Sequence, residues 1–211
     1  VSMASIDPRL PARTMPVAER MLWAALPVGG LCVLLFALLT GTALPWEWHL
    51  PWVPALNLGI VVRIDGLSAL MLLLILGVGS AVFVYAGGYL AGHPQQRRAY
   101  FLLTLFATAM AGCVSADNLL LLFLFWESTS LLSFLLVGFN HHDESSRKSA
   151  QQAMLVTGAG GLAMLGGFVI LGQMTGTWRI SNIIAQLPTL PDNAALRAAI
   201  ALIMTGAFAK S

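Results

Sequence analysis

The 211-residue sequence predicts an all-α integral membrane protein, a polytopic helix bundle with about six transmembrane helices. Two observations carry that expectation. The chain is 58% hydrophobic and 9% charged, whereas a soluble domain has roughly 25% charged residues. Its apolar residues also gather into six runs, each long enough, or nearly so, to cross a hydrocarbon core of about 30 Å at a rise of 1.5 Å per residue. The expected spans are about 21–40, 64–90, 99–114, 118–139, 150–173 and 194–211, the last truncated, behind a tail of residues 1–20. A net charge of +2, with basic residues spread along the chain, speaks against a nucleic-acid partner. Cys32 and Cys113 lie within apolar runs and lack CxxC spacing, so they read as small packing residues and not as a metal or redox site. No metal and no cofactor are expected.

Taken in order, the first span follows Arg9, Arg13 and Arg20, a pattern shared with signal peptides. Its ~20-residue length and lack of a small-x-small cleavage site favour a spanning helix, kinked at Pro27 and Gly29-Gly30. Residues 41–63 read as a loop, with Pro45, Pro51 and Pro54 among Trp46, Trp48 and Trp52, the composition of a membrane–water interface. Glu47 and His49 read as solvated there. The second span opens after Arg63 and Asp65-Gly66 and carries Gly77 and Ala81 one turn apart, a small-residue contact for a neighbour. On the third, Thr104, Thr108 and Ser115 share a face, each hydroxyl expected to bond the carbonyl four residues back and not to form a track for water.

The fourth span sets Glu127 in a membrane-grade run, with Ser130 on its face. Beyond it, His141-His142-Asp143-Glu144 reads as a solvated loop, because adjacent ligands of that kind seldom converge on a metal without supporting contacts. The fifth span offers Ala159, Ala163 and Gly167 as a packing stripe. Residues 175–193 are loop-like, with a short interfacial helix over 181–187 capped by Ser181. The last run ends at Lys210.

With the amino terminus inside, the cytoplasmic segments hold Arg9, Arg13, Arg20, Arg97, Arg98, Arg147 and Lys148 against Arg63, Arg179 and Arg197 outside, seven to three. That bias places the tail in the cytoplasm.

Glu127 lies ten residues, roughly 15 Å, past Asp117, near the bilayer midplane. Lys210 is 13 residues, roughly 20 Å, past Arg197 and is the other deep charge. A lone ion there costs several kcal/mol, and a partner of opposite charge relieves the penalty. Making and breaking such a pair can therefore move a proton. A neutral glutamate hydrogen-bonded for packing, or a structural ion pair, fits the same residues.

The run Ser115-Ala-Asp-Asn-Leu119 with Phe125-Trp-Glu-Ser-Thr-Ser-Leu-Leu-Ser-Phe-Leu-Leu-Val-Gly-Phe139 resembles the signature helix of the antiporter-like subunits shared by complex I and the Mrp-type multisubunit cation/proton antiporters. Gly206-Ala-Phe-Ala-Lys-Ser211 resembles the start of that family's lysine-bearing helix. Within the family, Pro51-Trp-Val-Pro54, Asp65-Gly-Leu67 and Gly161-Leu-Ala-Met-Leu-Gly-Gly-Phe168 are most similar to the A-type subunits of the Mrp antiporters. The resemblance implies that Glu127 is the glutamate of the proton/ion path, Lys210 the lysine of its central proton-carrying site, and Asp117 an accessory acidic position. It implies a non-enzymatic, secondary-active Na⁺/H⁺ or other monovalent-cation/H⁺ antiporter in the bacterial inner membrane, with other Mrp subunits and the lipid bilayer as partners. The alternative is a proton-pumping membrane-arm subunit of complex I or a related hydrogenase. Val156-Thr-Gly-Ala-Gly-Gly161 has no aspartate, as in the Mrp type, and Gln152 stands where many relatives carry a lysine, leaving a third relay charge without a counterpart. Residues 1–211 are expected to be the early part of a longer subunit.

Overall fold

The computed structural model describes residues 15–53, 58–137 and 144–210. The elements are α1 (Val17–Leu39), β1 (Trp46–Val53), β2 (Leu58–Ile64), α2 (Gly66–Tyr89), α3 (Gln96–Ser115), α4 (Leu119–Val137), α5 (Glu144–Thr175), α6 (Ile180–Gln186) and α7 (Ala194–Lys210). Helices α1 to α4 and Gln151–Thr175 of α5 are long and apolar enough to cross a membrane, while α7 is described over 17 residues. The tail up to residue 14 and the histidines His141 and His142 lie outside the described residues.

Helix α1 begins four residues before the expected start of the first span, so Glu19 and Arg20 belong to it. Glu19 pairs with Arg97 of α3 at 2.7 Å, and Arg20 Nη1 donates to the Gly87 carbonyl of α2 at 3.1 Å. Tyr100, 1% exposed, packs on Phe83 and donates its hydroxyl to the Phe83 carbonyl, joining α2 to α3. Gly77 does not form the expected close contact, since a methyl added there would meet nothing within 4 Å.

The strands β1 and β2 correct the expected loop. They form an antiparallel ribbon in which Trp46 faces Ile64 and His49 faces Val61, with a register shift between Pro51 and Val53. The prolines mask it. Leu58 to Ile64 is rich in Val and Ile, which suit a pleated strand, and Pro51 sits at the irregularity, where the missing N–H matters least. The ribbon docks on the α3–α4 turn, where the Asp117 N–H donates to the Val61 carbonyl at 2.9 Å. On the other side of that turn, the Leu119 N–H reaches the Trp178 carbonyl at 2.9 Å and the Ile180 N–H reaches the Asp117 carbonyl at 3.2 Å.

Side chains cap the starts of α2 and α4. Asp65 accepts from the Ser68 N–H at 2.9 Å, and Asn118 from those of Leu120 and Leu121 at 2.9 and 3.2 Å. Helix α6 differs from expectation, because its cap position is Arg179 and Ser181 turns to Asp117. On α3, Thr104, Thr108 and Ser115 each bond the carbonyl four residues back, the local arrangement expected of them.

The tightest seam joins α5 to α7. It runs through Gly160, Gly167 and Gly206, and Ala159 of the expected stripe is exposed. A methyl on Gly167 would lie 2.6 Å from the Ala199 carbonyl, and one on Gly206 would lie 2.6 Å from the Gly160 carbonyl. Backbones touch here. Around the seam, Leu119, Met164, Phe168, Leu171, Ile183 and Ala199 form one buried cluster, with Trp126 against it.

Candidate functional site

The glycine seam brings the end of α7 against the middle of α4. Lys210 Nζ donates to the Trp126 carbonyl and to the Ser130 hydroxyl, both at 2.8 Å, and to the Thr129 hydroxyl. An ammonium has three N–H donors, so this one turn of α4 satisfies all of them. The Trp126 ring centroid lies 4.7 Å from Nζ. The Thr129 and Ser130 hydroxyls donate to the same Trp126 carbonyl at 2.7 and 3.3 Å, which leaves their lone pairs for Lys210.

Glu127 is the next residue, and it is placed differently. Its Oε1 is buried without a hydrogen-bond partner among the described residues, and its carboxylate rests against Gly161 of α5. No ion pair joins Glu127 and Lys210 among those residues. Both side chains are half-buried. The acid and the base expected from the sequence thus share one turn of α4, with the lysine held by neutral oxygens. Next to Lys210 a cavity of about 140 Å³ lies between α4 and α5, bordered by Ser130, Ser133 and Thr157 and extending to Val137 and Ala153. At about 30 Å³ each it has room for a few water molecules.

Asp117 stands apart from this site. It is 4% exposed and accepts from Arg179 Nε and the Ser181 N–H at 2.8 Å and from the Ser181 hydroxyl at 2.7 Å. Arg179 also pairs with Glu47, which pairs with Arg63 across the ribbon at 2.7 Å. Two acids and two bases therefore alternate from the α3–α4 turn through the residue that caps α6 to the ribbon. The Asp117 and Glu47 carboxylates hold the Arg179 guanidinium above its ordinary value, firmly protonated.

The sequence alone makes Glu47 a solvated loop residue, whereas its partners lie 16 and 132 positions away, beyond the reach of any local pattern. Thr129 also escapes sequence reasoning. Its one signal is the run of hydroxyls after Trp126, from which the helical period selects Ser130. Among the described residues, no three His, Cys, Asp or Glu side chains group to hold a metal.

The family described as NADH:quinone oxidoreductase/Mrp antiporter, TM matches residues 116–211, and the one described as NADH-Ubiquinone oxidoreductase (complex I), chain 5 N-terminus matches residues 48–101. Among curated relatives, the A-type subunit of the Na(+)/H(+) antiporter of Alkalihalophilus pseudofirmus is 42% identical over 174 residues, covering 82% of this chain and 22% of that protein. Among solved structures, the Mrp complex from Dietzia sp. DQ12-45-1b aligns with a TM-score of 0.80 at 31% identity, over 92% of this chain and 21% of that one. Respiratory complex I from Thermus thermophilus aligns with a TM-score of 0.76 at 19% identity, over 91% of this chain and 39% of that one, a likeness of fold. The chain spans about a fifth of the length of the curated relatives it matches.

Proposed function

We propose, for a chain that belongs to the membrane-subunit family shared by NADH:quinone oxidoreductase and the Mrp antiporters and is homologous to the amino-terminal part of the A-type Na⁺/H⁺ antiporter subunit, that it supplies a Glu127–Lys210 proton relay to a multisubunit Na⁺/H⁺ antiporter. The observation that carries this reading is the placement of the Lys210 ammonium on the Trp126 carbonyl, one residue from Glu127. A carbonyl and two hydroxyls offer a cation dipoles but no counter-charge. The Glu127 carboxylate, one position along, offers the charge. Swinging the flexible lysine stem between them gives two arrangements of different proton affinity, since an adjacent carboxylate favours the ammonium and its removal favours the amine. The cavity beside Ser130, Ser133 and Thr157 has room for the water that serves as the proton's exchange partner on this reading.

The antiporter context is favoured over the complex I alternative because the 42% identity is to an Na(+)/H(+) antiporter protein, whereas complex I shares the fold at 19%. On this reading the chain is not an enzyme. It works in the bacterial inner membrane beside other antiporter subunits, exchanging H⁺ for Na⁺ or another monovalent cation. Its amino terminus and the 90–96 turn face the cytoplasm, and the ribbon faces outward. Asp117 acts as an accessory by fixing the start of the Glu127 helix.

The test is Glu127→Gln in the full-length, assembled complex, read as Na⁺-driven proton flux in everted vesicles, with a membrane immunoblot for assembly. An amide of the same shape has no proton to exchange near neutral pH, so flux is lost while protein level holds. Full flux in Glu127→Gln leaves only a packing role.

A further inference from the structure

We infer that Gly161 is a positioning residue for Glu127, the bare patch of α5 on which the carboxylate is seated, an inference that rests on the relay reading. A Cβ built on Gly161 would overlap Glu127 Oε1 and lie 2.8 Å from its carboxyl carbon. The carboxylate thus occupies the volume that any other residue at 161 would fill. No hydrogen-bond donor among the described residues fixes that oxygen, which is buried. The missing side chain of Gly161 therefore decides where the acid of the relay sits.

The kind of atom that would be struck separates Gly161 from the glycines of the seam. A methyl at Gly167 or Gly206 would meet main-chain oxygens at 2.6 Å, so the helices themselves would have to part. A methyl at Gly161 would meet the far end of a flexible side chain, which can swing aside while the backbones stay. An alanine there moves the carboxylate and spares the fold. The preceding residue makes the arrangement two-sided. Gly160 takes α7 at Ala209, the residue before Lys210, while Gly161 takes the Glu127 side chain of α4. Consecutive helical residues point about 100° apart at 3.6 residues per turn. Two adjacent glycines on α5 thereby set the positions of the lysine-bearing helix and of the acid from different sides of one backbone turn.

The experiment compares Gly161→Ala, Glu127→Asp, the double variant, Gly158→Ala and Glu127→Gln in the full-length, assembled complex, by Na⁺-driven proton flux across a pH series and by immunoblot. Gly158 is the control, since a methyl there meets nothing within 4 Å. Gly161→Ala is expected to lower flux roughly tenfold or more and to change its pH profile, as a misplaced reacting group does, with protein level unchanged. Gly158→Ala stays within about twofold of wild type. Aspartate is one methylene shorter and fits beside the new methyl, so the double variant regains flux relative to Gly161→Ala. Three results overturn the inference: flux within about twofold of wild type in Gly161→Ala, a loss that only tracks lost protein, or no gain in the double variant. Glu127→Gln separates the two levels. If it is inactive while Gly161→Ala is normal, the seat is wrong and the relay stands, whereas full flux in Glu127→Gln removes the relay itself.

Discussion

Lys210 donates to the main-chain carbonyl of Trp126 at 2.8 Å and not to the carboxylate of Glu127, the next residue of the same helix. The cation has a charged acceptor within one residue of its neutral one. It rests on the neutral one, beside hydroxyls from Thr129 and Ser130. The relay reading turns on that geometry.

If the hydroxyls set the resting position, Thr129→Val with Ser130→Ala removes two of three acceptors. A hydrogen bond to a charged group contributes about 1.5–3 kcal/mol, so the resting arrangement loses most of its advantage over pairing with Glu127. Expected flux falls roughly tenfold, against complete loss in Lys210→Met. The comparison is made in vesicles at matched protein level. Equal flux in the double variant and wild type would show that the carbonyl alone suffices.

The charge chain on the ribbon side predicts a stability effect. Arg179→Met leaves Asp117 buried and without its cation, a change that costs about 3–5 kcal/mol in comparable sites. Asp117→Asn is milder, because the amide oxygen still accepts from Ser181. Glu47→Gln does least, since its pairs with Arg63 and Arg179 are both about a third exposed and such pairs contribute about 0–1 kcal/mol each. Thermal unfolding in detergent should rank the three in that order.

Asp65 gives a pH dependence with a definite sign. The Ser68 N–H it accepts holds its carboxyl below the ordinary 3.8. A depressed native value means that the contribution is fully present above the ordinary value and is lost as pH falls through the lower native one. Asp65→Ala should therefore destabilise by about 0.5–2 kcal/mol near neutrality, with a gap that closes only in strong acid. A gap that changes between about pH 5 and pH 8 would point to another group.

The orientation is tested by single cysteines in a background lacking Cys32 and Cys113. Replacements at Gln95 and Glu144 are expected to label from the cytoplasm only, and those at Leu50 and Ala185 from outside only. The reverse pattern would invert the assignment.

The helices are legible in the sequence because apolar length is a one-dimensional property, and both deep charges stand out against hydrocarbon-grade neighbours. The ribbon is not, since its prolines and tryptophans fit an interface loop equally well and its alternation is broken at Pro51. The partners of Glu47 are beyond reach for a different reason: they depend on three segments meeting at one end of the bundle. The seat at Gly161 leaves no mark of its own. Among so many small residues of α5, only a neighbour's side chain tells which glycine is empty for a purpose.

The Trp126 carbonyl collects Lys210 at 2.8 Å, Thr129 at 2.7 Å and Ser130 at 3.3 Å on one oxygen. Each donor pulls electron density from the C=O bond and softens its stretch, the cationic donor most of all. A carbon-13, oxygen-18 label at that single carbonyl would therefore vibrate at a lower frequency while the ammonium is docked and at a higher one once it leaves. The peptide bond before Glu127 is in effect an infrared gauge of the lysine's position, already built into the backbone and readable without a dye or a substitution.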